Sequence, residues 1–424
     1  MRRKTLLIGF LAMLFTTVKA QVYVDNKSQH RFAQTYIGLN TQIVPSSGKL
    51  FWNDQSYKFP SQVAPRFTIG GLHFWGKWDF NINFPLTYFS DRRIAPETDV
   101  ILETGGDLSA RYYPFRMLYG KLRPYAGISI NEMILDLENE TAGERADLFI
   151  TSSLIGGFSY AFNGWQVNTE IMWMPNNQRD FYSSRTAGHT FELPKAYFSL
   201  GLIKYFEGTL KNERDKLSGK TEKLEKQFDE EGILNSFSLA IAPSGSYFLA
   251  APEYSNAARV SLPRHKGTFN WDFGLGYLFH NANIHVGLSY RDYTSGVESY
   301  NRVDLIRRRS LAVEAFKYVW NFHGFAPYIG PSIGLEKWAS AQFEGDEQIG
   351  ATQRTNIVSP GILFGWDILA SPLETWLLRT NLRYYPFQKV KDAEGNIARV
   401  DQFEFNFIQL VIYPNRMINF KGRR

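Results

Sequence analysis

The sequence predicts an all-β fold: a transmembrane antiparallel up-and-down β-barrel of about 16 strands, built from two eight-stranded repeats. Three observations support this prediction: the composition, the alternation of apolar and polar residues, and the lengths of the connections. Aromatic residues make up 16% of the 424 residues, and 34 residues are Gly, which is typical of β-structure. A chain of this length would normally suggest two or three domains, but closed all-β architectures can run longer as one unit.

Alternation is clear in the segment WDFNINFPLTYF, where Phe80, Ile82 and Phe84 share one face while Asp79 and Asn81 share the other. Successive side chains of a β-strand point to opposite faces, so this segment has one apolar and one polar face. The same pattern recurs in three further segments, WQVNTEIMW, NIHVGLSYR and WLLRTNLRY. Their apolar faces begin and end in aromatic residues about eight positions apart, close to the spacing of the interfacial girdles of a tilted membrane strand.

Short and long connections alternate between the predicted strands. The pairs of short and long connections are Trp75–Lys77 with Ser90–Gly106, Asn163–Gly164 with Pro175–Pro194, and His280–Asn281 with Asp292–Arg309. Tight turns at one rim and extended loops at the other are the asymmetry of outer-membrane barrels. A soluble β-sandwich has no reason to keep this parity, so we expect the apolar faces to point outward into lipid.

The first 20 residues have the features of a secretory signal peptide. A basic start (Arg2–Lys4) precedes an apolar run (Leu6–Phe15), and the small residue Ala20 precedes Gln21. This order is that of a secretory leader rather than of a buried helix, so we predict export and cleavage after Ala20. No later window approaches 18 uninterrupted apolar residues, so the sequence predicts no transmembrane helix.

Charge and cysteine content exclude several kinds of partner and site. The formal net charge is +6, but four of the positive charges belong to the leader, so the sequence gives no case for nucleic acid. The absence of Cys excludes disulfides, thiolate metal sites and a lipoprotein anchor. No phosphate-binding Gly loop and no His or carboxylate cluster has convincing spacing, so we expect neither a cofactor nor a metal.

The Pro-Tyr-x-Gly motif occurs twice, in RPYAGISI (residues 123–130) and in APYIGPSI (residues 326–333). Each copy lies in the fifth predicted strand of its half, and the two halves agree in strand order and spacing. We interpret this agreement as an internal duplication. The sixteen predicted strands are Tyr36–Val44, Arg66–Phe74, Trp78–Phe89, Leu108–Tyr113, Pro124–Met133, Phe149–Phe162, Trp165–Trp173, Tyr197–Tyr205, Ser236–Ala242, Phe269–Phe279, Ile284–Tyr293, Leu311–Trp320, Pro327–Trp338, Asn356–Trp366, Trp376–Tyr385 and Phe403–Tyr413.

The first half, with LSARYYPF, KLRPYAGISI and the closing SLGLIKYF, resembles the eight-stranded outer-membrane barrels of the opacity-protein and OmpA-type superfamily. In those proteins an Arg-Pro-Tyr-x-Gly strand and an aromatic-ended final strand are frequent. The second half is similar more loosely: APYIGPSI lacks the Arg, and FEFNFIQLVIYP is followed by the basic NRMINFKGRR. The composition, rich in Tyr and without Cys, also resembles that of Bacteroidota envelope proteins. The resemblance implies a Gram-negative outer membrane, contact with its lipid, and insertion by the barrel-assembly machinery.

The predicted organisation has five parts: a signal peptide (1–20), a first repeat (21–207), a charged connector (208–232), a second repeat (233–416) and a basic tail (417–424). The connector carries Leu210, Leu217, Leu224 and Phe228 at helical spacing, so it is either a solvated periplasmic connector or a partner-binding helix. Two architectures are open. One 16-stranded barrel with a wide lumen is the prediction, because tandem barrels are rare, and two eight-stranded barrels filled by their own side chains are the alternative.

Charged residues are predicted on the inward faces of the strands. A small barrel would need to pair them in a closed salt-bridge network, whereas a wide barrel would use them to line water and to select solutes. Arg111 and Glu314 occupy the same repeat position with opposite charge. The predicted lumen-facing charges are Asp79, Arg111, Glu170, Asp272, Arg291, Glu314, Arg379 and Arg383.

The function that the sequence predicts first is porin-like passive passage of small solutes. The alternative is a structural or adhesive barrel that displays long loops, and a lipid-modifying enzyme is third. No His is followed two residues later by Ser, and His285 and Ser289 lie about 13 Å apart along one strand, so no catalytic residue is predicted.

Two local clusters suggest ligands at the outer loops. Arg307, Arg308 and Arg309 lie where a predicted long loop re-enters the wall, so they either hold lipopolysaccharide phosphates through bidentate pairs or form a basic girdle without a specific ligand. The acidic stretch Glu344–Gln348 is predicted to be a solvated loop, with calcium binding there as the alternative. The sequence does not indicate the oligomeric state.

Overall fold

The structure is a computed structural model that describes residues 33–52, 55–87, 93–95, 98–139, 143–185, 188–207, 219–248, 261–263, 265–322, 324–368, 373 and 375–421. The predicted signal peptide (1–20) lies outside the described residues, and so does most of the first half of the connector. The described chain consists mainly of antiparallel strands, as the composition and the alternation predict.

The first half of the chain folds into a closed barrel of its own, barrel 1. Its wall strands are β1 (Gln34–Val44), β4 (Gln62–His73), β5 (Trp78–Pro85), β7 (Thr98–Tyr112), β8 (Leu122–Asn139), β9 (Gly143–Phe162), β10 (Trp165–Trp173) and β13 (Ala196–Glu207). Each wall strand pairs with the next, and β13 returns to β1 with Tyr205 opposite Tyr36. Five short strands lie in the connections: β2 (Lys49–Trp52), β3 (Gln55–Lys58), β6 (Arg93–Ala95), β11 (Gln178–Tyr182) and β12 (Gly188–Glu192).

The second half folds in the same way into barrel 2. Its wall strands are β14 (Ser236–Phe248), β15 (Gly267–Phe279), β16 (Ile284–Ser299), β17 (Arg302–Tyr318), β18 (Phe325–Glu344), β19 (Glu347–Ile368), β20 (Trp376–Lys391) and β21 (Ile397–Ile412). The last strand pairs with the first, with Val411 opposite Ala240. All wall strands of the two barrels lie within the predicted repeats, 21–207 and 233–416.

The prediction of a single 16-stranded barrel is therefore wrong, and the alternative of two eight-stranded barrels is correct. The pairs β1–β13 and β14–β21 close each half on itself. A closed barrel leaves no unpaired strand edge, so neither half retains an edge that could join a shared wall. The wider prediction, antiparallel β-barrel structure in two units of eight strands, is confirmed. The duplication as an evolutionary event stays a prediction.

Each barrel has a turn rim, which carries its chain ends, and an opposite loop rim. At the turn rim, Asn163 and Gly164 join β9 to β10 with φ values of 46° and 79°, as a tight hairpin requires. At the loop rim the predicted long loop Asp292–Arg309 is wrong. β16 continues to Ser299 and β17 begins at Arg302, so only Tyr300 and Asn301 form the turn.

The same error affects Glu344–Gln348, which lies at the tip of the β18–β19 hairpin, with Glu344 opposite Glu347. Both segments belong to strands that extend beyond the apolar part of the wall. Polar residues such as Asp292 also occupy the outward face there, while apolar residues such as Ile306 point inward. The alternation of the belt is therefore lost from the sequence while the backbone pairing continues.

Two helices lie near the chain ends of barrel 2. The connector helix (Gly219–Glu230) buries Phe228 against Leu234 and Leu373, so this part of the predicted connector docks on the barrel. The C-terminal helix (Pro414–Lys421) spans the predicted boundary between residues 416 and 417, which stays a prediction. Among the described residues no helix combines the length and apolar character that a membrane span requires.

The two barrels contact each other at both rims. At the turn rim the Phe74 and Phe325 rings lie 5.6 Å apart and the Trp75 and Phe322 rings 5.7 Å apart. At the loop rim the Tyr300 hydroxyl donates to the Tyr182 carbonyl at 2.6 Å. These contacts hold the barrels side by side, with both turn rims on the same side.

Candidate functional site

The outer faces of both barrels form an apolar belt. Soluble monomers rarely expose large contiguous apolar patches, so such a belt marks a surface that is covered by something other than water. The exposed residues of the belt include Ile128, Ile130, Leu154, Phe158, Leu200 and Leu202 in barrel 1, and Leu239, Phe273, Leu275, Leu288, Val313, Ile333, Leu335 and Ile362 in barrel 2.

The polar residues of the strands lie inside the barrels. All eight charged residues that the sequence places in the lumen are buried: Asp79, Arg111 and Glu170 in barrel 1, and Asp272, Arg291, Glu314, Arg379 and Arg383 in barrel 2. Burying an ionised group without a partner is costly. The contacts within each barrel show how that cost is offset.

The centre of barrel 1 is one cation between two carboxylates. The Arg111 Nε donates to Glu170 at 2.7 Å, and its Nη1 donates to Asp79 at 3.2 Å. The Tyr36 hydroxyl donates to Asp79 at 2.5 Å, and the Tyr125 hydroxyl donates to Glu170 at 3.2 Å. Each carboxylate thus accepts one bond from Arg111 and one from a tyrosine.

The centre of barrel 2 has the opposite polarity, with one carboxylate between two cations. Arg383 donates to Glu314 through Nε and Nη2, and Arg291 lies 3.4 Å from the same carboxylate. Arg383 also donates to Asp272 at 2.6 Å. The remaining predicted cation, Arg379, forms a separate bidentate pair with Asp367 on the neighbouring strand β19.

The opposite charges of Arg111 and Glu314 are therefore neutralised within their own barrels. The possibility that a shared lumen pairs charges from the two halves is ruled out, because each barrel is closed and each network is local. The inversion extends to a second position. Glu170 of β10 pairs with Arg111, while Arg383 of β20, the equivalent strand, pairs with Glu314.

Sequence reasoning missed about half of the network. In barrel 1, Arg66 pairs with Asp107 and donates to Asn40 at 2.7 Å. Arg66 was predicted to lie at the very start of its strand, where the alternation gives little information. The ion pairs missed in barrel 2 include Arg291–Glu404, Arg308–Glu336, Arg308–Glu404 and Arg379–Asp367.

For Glu404 a signal was present in the sequence. It lies between Phe403 and Phe405 in an alternating segment, so the same argument that placed Arg383 inside would have placed Glu404 inside. No such indication exists in the sequence for Arg308, because both of its neighbours are also Arg and no alternation of apolar and polar residues is present there.

The repeated Pro-Tyr-x-Gly motif performs the same packing task in both barrels. Tyr125 points inward, and its hydroxyl shares its one proton between Glu170 and the carbonyl of Thr169, which lies at 3.1 Å. Tyr328 donates to the carbonyl of Thr380 at 2.9 Å. Each ring lies against a Gly of the next strand. A Cβ at Gly157 would lie 2.8 Å from the Tyr125 ring, and one at Gly365 would lie 2.6 Å from the Tyr328 hydroxyl.

Apolar clusters fill each lumen above and below the ion pairs. In barrel 1 the loop-rim cluster includes Met133 and Phe149 of the wall together with Leu50, Phe181 and Phe191 of the small sheet β2–β3–β11–β12. In barrel 2 the loop-rim cluster comprises Phe248, Ile306, Trp338, Val390, Ala398 and Val400. The turn-rim clusters are centred on Tyr36, Tyr113, Tyr125 and Tyr205 in barrel 1 and on Leu278, Leu377, Val411 and Tyr413 in barrel 2.

The space left inside is small. A cavity beside Arg66 in barrel 1 measures about 10 Å³, and one beside Glu314 in barrel 2 measures about 20 Å³. A cavity needs about 10–15 Å³ to hold a single water, so each has room for no more than one or two waters. Eight-stranded barrels are just wide enough to be filled by their own side chains, and both of these barrels are filled.

The arginine triplet on β17 is divided by the pleat. Arg307 and Arg309 point outward, with side chains 46% and 50% exposed. Arg308 points inward, is fully buried, and donates to Glu336 at 2.6 Å. The predicted lipopolysaccharide contact is therefore wrong for Arg308, because successive residues of a strand face opposite sides. It stays a prediction for Arg307 and Arg309.

Three contacts between Ser and His side chains escaped the search of the sequence, because none has the simple two-residue spacing. Ser183 lies 2.6 Å from His189, Ser238 lies 3.0 Å from His285, and Ser295 lies 2.9 Å from His265. The third pair has a carboxylate close by, since His265 Nε2 lies 3.7 Å from Asp304.

All three Ser residues are buried, and the cavity beside His285 measures about 20 Å³. A nucleophile needs room for its substrate as well as a base. The Ser238–His285 pair therefore satisfies hydrogen-bonding groups of the interior and leaves little room for a substrate. In the described part of the chain, no group of three or more His, Asp and Glu residues could hold a metal ion.

No protein-family model matches the chain, and no curated protein matches it. Similar solved structures include Neisserial surface protein A, with a TM-score of 0.30 and 14% identity over 42% of this chain and 96% of that chain. Ail, the attachment invasion locus protein of Yersinia pestis, has a TM-score of 0.28 and 14% identity over 42% of this chain and 97% of its own. An outer membrane channel from Pseudomonas putida F1 is matched over 92% of this chain and 98% of its own, at a TM-score of 0.21 and 9% identity. Likeness at these scores assigns neither a family nor a function.

Proposed function

We propose that the protein is a non-conducting double β-barrel of the outer membrane, which displays one continuous recognition surface at its loop rim. The observation that carries this proposal is the combination of a filled interior with an apolar exterior. An apolar belt facing lipid satisfies the bilayer, and closed barrels leave no backbone edge unpaired within it. A filled lumen leaves the loop rim as the part of the molecule that is free to act.

The loop rim is built as one surface from both barrels. Arg185, next to β11 of barrel 1, donates to the Tyr300 carbonyl at 2.9 Å and to the Glu344 carboxylate at 2.8 Å. Ser299 of β16 forms a β-bridge with Arg145 of β9. These contacts join the hairpin tips of barrel 2 to the small sheet that covers barrel 1. Such a surface supports the structural or adhesive function that the sequence offers as its alternative.

Porin-like passage, the first prediction from the sequence, receives little support from this geometry. It depends on the wide lumen of a single 16-stranded barrel, in which the inward charges would face water. Here those charges are paired, and the cavities beside them measure about 10 and 20 Å³. The lipid-modifying enzyme is supported less, because Ser238–His285 and Ser295–His265 are buried inside barrel 2, and Ser183–His189 lies in the small sheet of barrel 1, away from the lipid-facing belt.

The remaining elements of the proposal follow from membrane insertion. We propose export through the predicted leader with cleavage after Ala20, and insertion by the barrel-assembly machinery. A periplasmic partner at residues 208–232 is part of the same proposal. The connector helix is amphipathic and docks through Phe228, while its exposed polar face remains available for such a partner.

Single-channel conductance in a planar bilayer tests the absence of a channel. We expect the refolded mature chain, residues 21–424, to be electrically silent while flotation with liposomes shows that it is inserted. Steady large openings would contradict the proposal and restore porin-like passage.

The orientation can be tested by labelling, since the chain has no Cys and each introduced Cys is therefore unique. Asp346 lies exposed at the β18–β19 tip of the loop rim, and Asn281 lies exposed in a turn at the turn rim. In intact cells, a membrane-impermeant maleimide is expected to label Asp346→Cys and to leave Asn281→Cys unlabelled until the outer membrane is permeabilised. The opposite pattern would reverse the orientation, and equal labelling of both would contradict an outer-membrane location.

A further inference from the structure

The outer wall of barrel 2 carries a basic face immediately beyond its apolar belt. The face consists of Arg307, Arg309, Lys337 and Arg354 on the three neighbouring strands β17, β18 and β19. All four side chains are exposed. Their positions follow from the strand register, which arranges the outward residues in rows.

The last apolar row before the basic face is Tyr290, Leu311, Leu335 and Val358, in which each residue lies opposite the next on the neighbouring strand. Two residues further toward the loop rim, the next row is Asp292, Arg309, Lys337 and Asn356. The row after that is Thr294, Arg307, Ala339 and Arg354. Two residues along a strand span about 7 Å, so Arg309 and Lys337 lie about 7 Å beyond the apolar row, and Arg307 and Arg354 lie about 14 Å beyond it.

The charges of the basic face are not balanced by the protein. Asp292 accepts from Arg307 at 2.7 Å and from Arg309 at 3.2 Å. In the described part of the chain, no carboxylate lies within salt-bridge distance of Lys337 or Arg354. Arg309 lies directly opposite Lys337, and like charges opposite each other on adjacent strands are destabilising. An anion that bridges the two strands would remove this repulsion.

The equivalent strands of barrel 1 carry acidic residues instead. Beyond its belt, β7 and β8 carry Asp99, Asp136 and Glu138, which line a cleft of about 270 Å³ together with Arg145 of β9 and Glu298 of barrel 2. The basic face is therefore a property of barrel 2 and not a general feature of the loop rim. Barrel 1 offers an internal comparison for any ligand that barrel 2 binds.

We propose that the basic face of barrel 2 binds the phosphate groups of lipopolysaccharide, in the leaflet that meets the loop rim. Guanidinium groups match phosphate oxygens in bidentate geometry. Asp292 holds Arg307 and Arg309 side by side, so their donors are oriented before the ligand arrives. The site extends the contact predicted from the sequence to Lys337 and Arg354 and excludes Arg308. It rests on the proposed outer-membrane location, because the phosphates must lie at the height of the face.

The test compares a double variant of the basic face, Arg309→Gln with Lys337→Gln, with a matched control. The control, Lys121→Gln with Lys317→Gln, removes two exposed cations at the turn rim; Lys317 lies on β17 itself. Binding of diphosphoryl lipid A to the refolded full chain in detergent is measured by native mass spectrometry. We expect the basic-face variant to bind about 30-fold more weakly, because each cation near an anionic lipid surface contributes roughly fivefold. The control is expected to keep the affinity of the unmodified chain.

Two further arms identify the ligand. Dephosphorylated lipid A is expected to bind as weakly to the unmodified chain as diphosphoryl lipid A binds to the basic-face variant. Millimolar inorganic pyrophosphate is expected to leave the bound lipid in place, because it lacks the acyl chains that pack against the apolar row. Displacement by pyrophosphate would reduce the site to a general anion site, and equal affinity of the variant and the unmodified chain would remove it. Failure of the unmodified chain to insert into liposomes would instead contradict the proposed function.

Discussion

The two barrels share one architecture but invert the charge at its centre. In barrel 1, Arg111 lies between Asp79 and Glu170. In barrel 2, Glu314 lies between Arg291 and Arg383. Both barrels keep an inward tyrosine that packs on a Gly of the next strand: Tyr125 on Gly157 in barrel 1, and Tyr328 on Gly365 in barrel 2.

The inversion shows which property the fold requires. A buried ion pair contributes little net stability, but removing one partner leaves an uncompensated charge at high cost. Each buried charge therefore requires a partner of opposite sign, whereas the sign at a given position is free to change if its partner changes as well. The partners of Arg111 and of Glu314 lie within the same barrel as the residue they pair with.

The strongest test of this comparison is Arg111→Met, which leaves Asp79 and Glu170 buried without their cation. We expect the free energy of unfolding to fall by about 3–5 kcal/mol, measured by urea titration of the refolded protein in detergent. Glu314→Gln in barrel 2 is expected to cost less, since Arg383 keeps Asp272 as a partner.

A charge-inverted barrel 1 sharpens the same test. Arg111→Glu combined with Glu170→Arg reproduces the polarity of barrel 2 at the two equivalent positions. We expect the double variant to be more stable than Arg111→Glu alone. Equal stability of the single and the double variant would show that barrel 1 specifies the sign of the charge at each position, and not only the pairing of opposite charges.

The apolar belt of barrel 2 is tested by Leu288→Arg. Leu288 is 46% exposed on the outer face, and a cation near the bilayer midplane of a barrel costs about 2–4 kcal/mol. Thr294→Arg, on the same face of the same strand but beyond the belt, is the matched control. It is expected to cost much less, because only the cation of Arg307 on the neighbouring strand opposes it. Equal effects of the two substitutions in a refolding titration into liposomes would overturn the assignment of the belt.

The packing that the two barrels share is tested by Gly157→Ala and Gly365→Ala. A methyl group at either position would lie 2.0 Å from a carbonyl oxygen of the next strand. We expect both variants to lose about 1–3 kcal/mol, because overpacking forces the backbone and the Tyr ring to shift. Gly156→Ala meets only an ordinary contact at 3.9 Å and is the control. A large difference between Gly157→Ala and Gly365→Ala would show that the two motifs no longer perform the same task.

The smallest expected effect concerns the contact between the barrels at the loop rim. Burial raises the pKa of Tyr300 to about 12, although the nearby Arg145 opposes the shift. The neutral phenol is therefore favoured in the folded state, and its contribution to stability is present below pH 10 and is lost as the pH rises to 12. Tyr300→Phe removes the bond to Tyr182, which is worth about 1 kcal/mol.

In urea titrations we expect Tyr300→Phe to be less stable than the unmodified chain at pH 9 and to approach it above pH 11. Tyr57→Phe, which removes an exposed hydroxyl within barrel 1, serves as the control and is expected to show no such convergence. A constant difference between Tyr300→Phe and the unmodified chain at all pH values would contradict the assigned role of the phenol.

The sequence predicted the wall strands well where one face is apolar. The strand Trp165–Trp173 was predicted with the bounds that the structure has, and every predicted strand is present. The errors lie beyond the apolar belt, where charged and polar residues also occupy the outward face of the strands. Strand β16 continues to Ser299 and strand β17 already begins at Arg302, because backbone pairing needs no apolar residue once it has begun. For the same reason the burial of Arg308 could not be foreseen.

The amino-acid sequence by itself determined the alternation, and with it which residues face the interior, because the period of a strand is fixed by its backbone. It also determined that sixteen strands come in two sets of eight. Only the tertiary structure decided how those sets close. Pairing β13 with β1 and β21 with β14 depends on hydrogen bonds between backbones far apart in the chain, and these bonds leave no mark in the local pattern of side chains. That closure encloses two separate lumens and pairs Arg111 with Glu170 in one and Glu314 with Arg383 in the other.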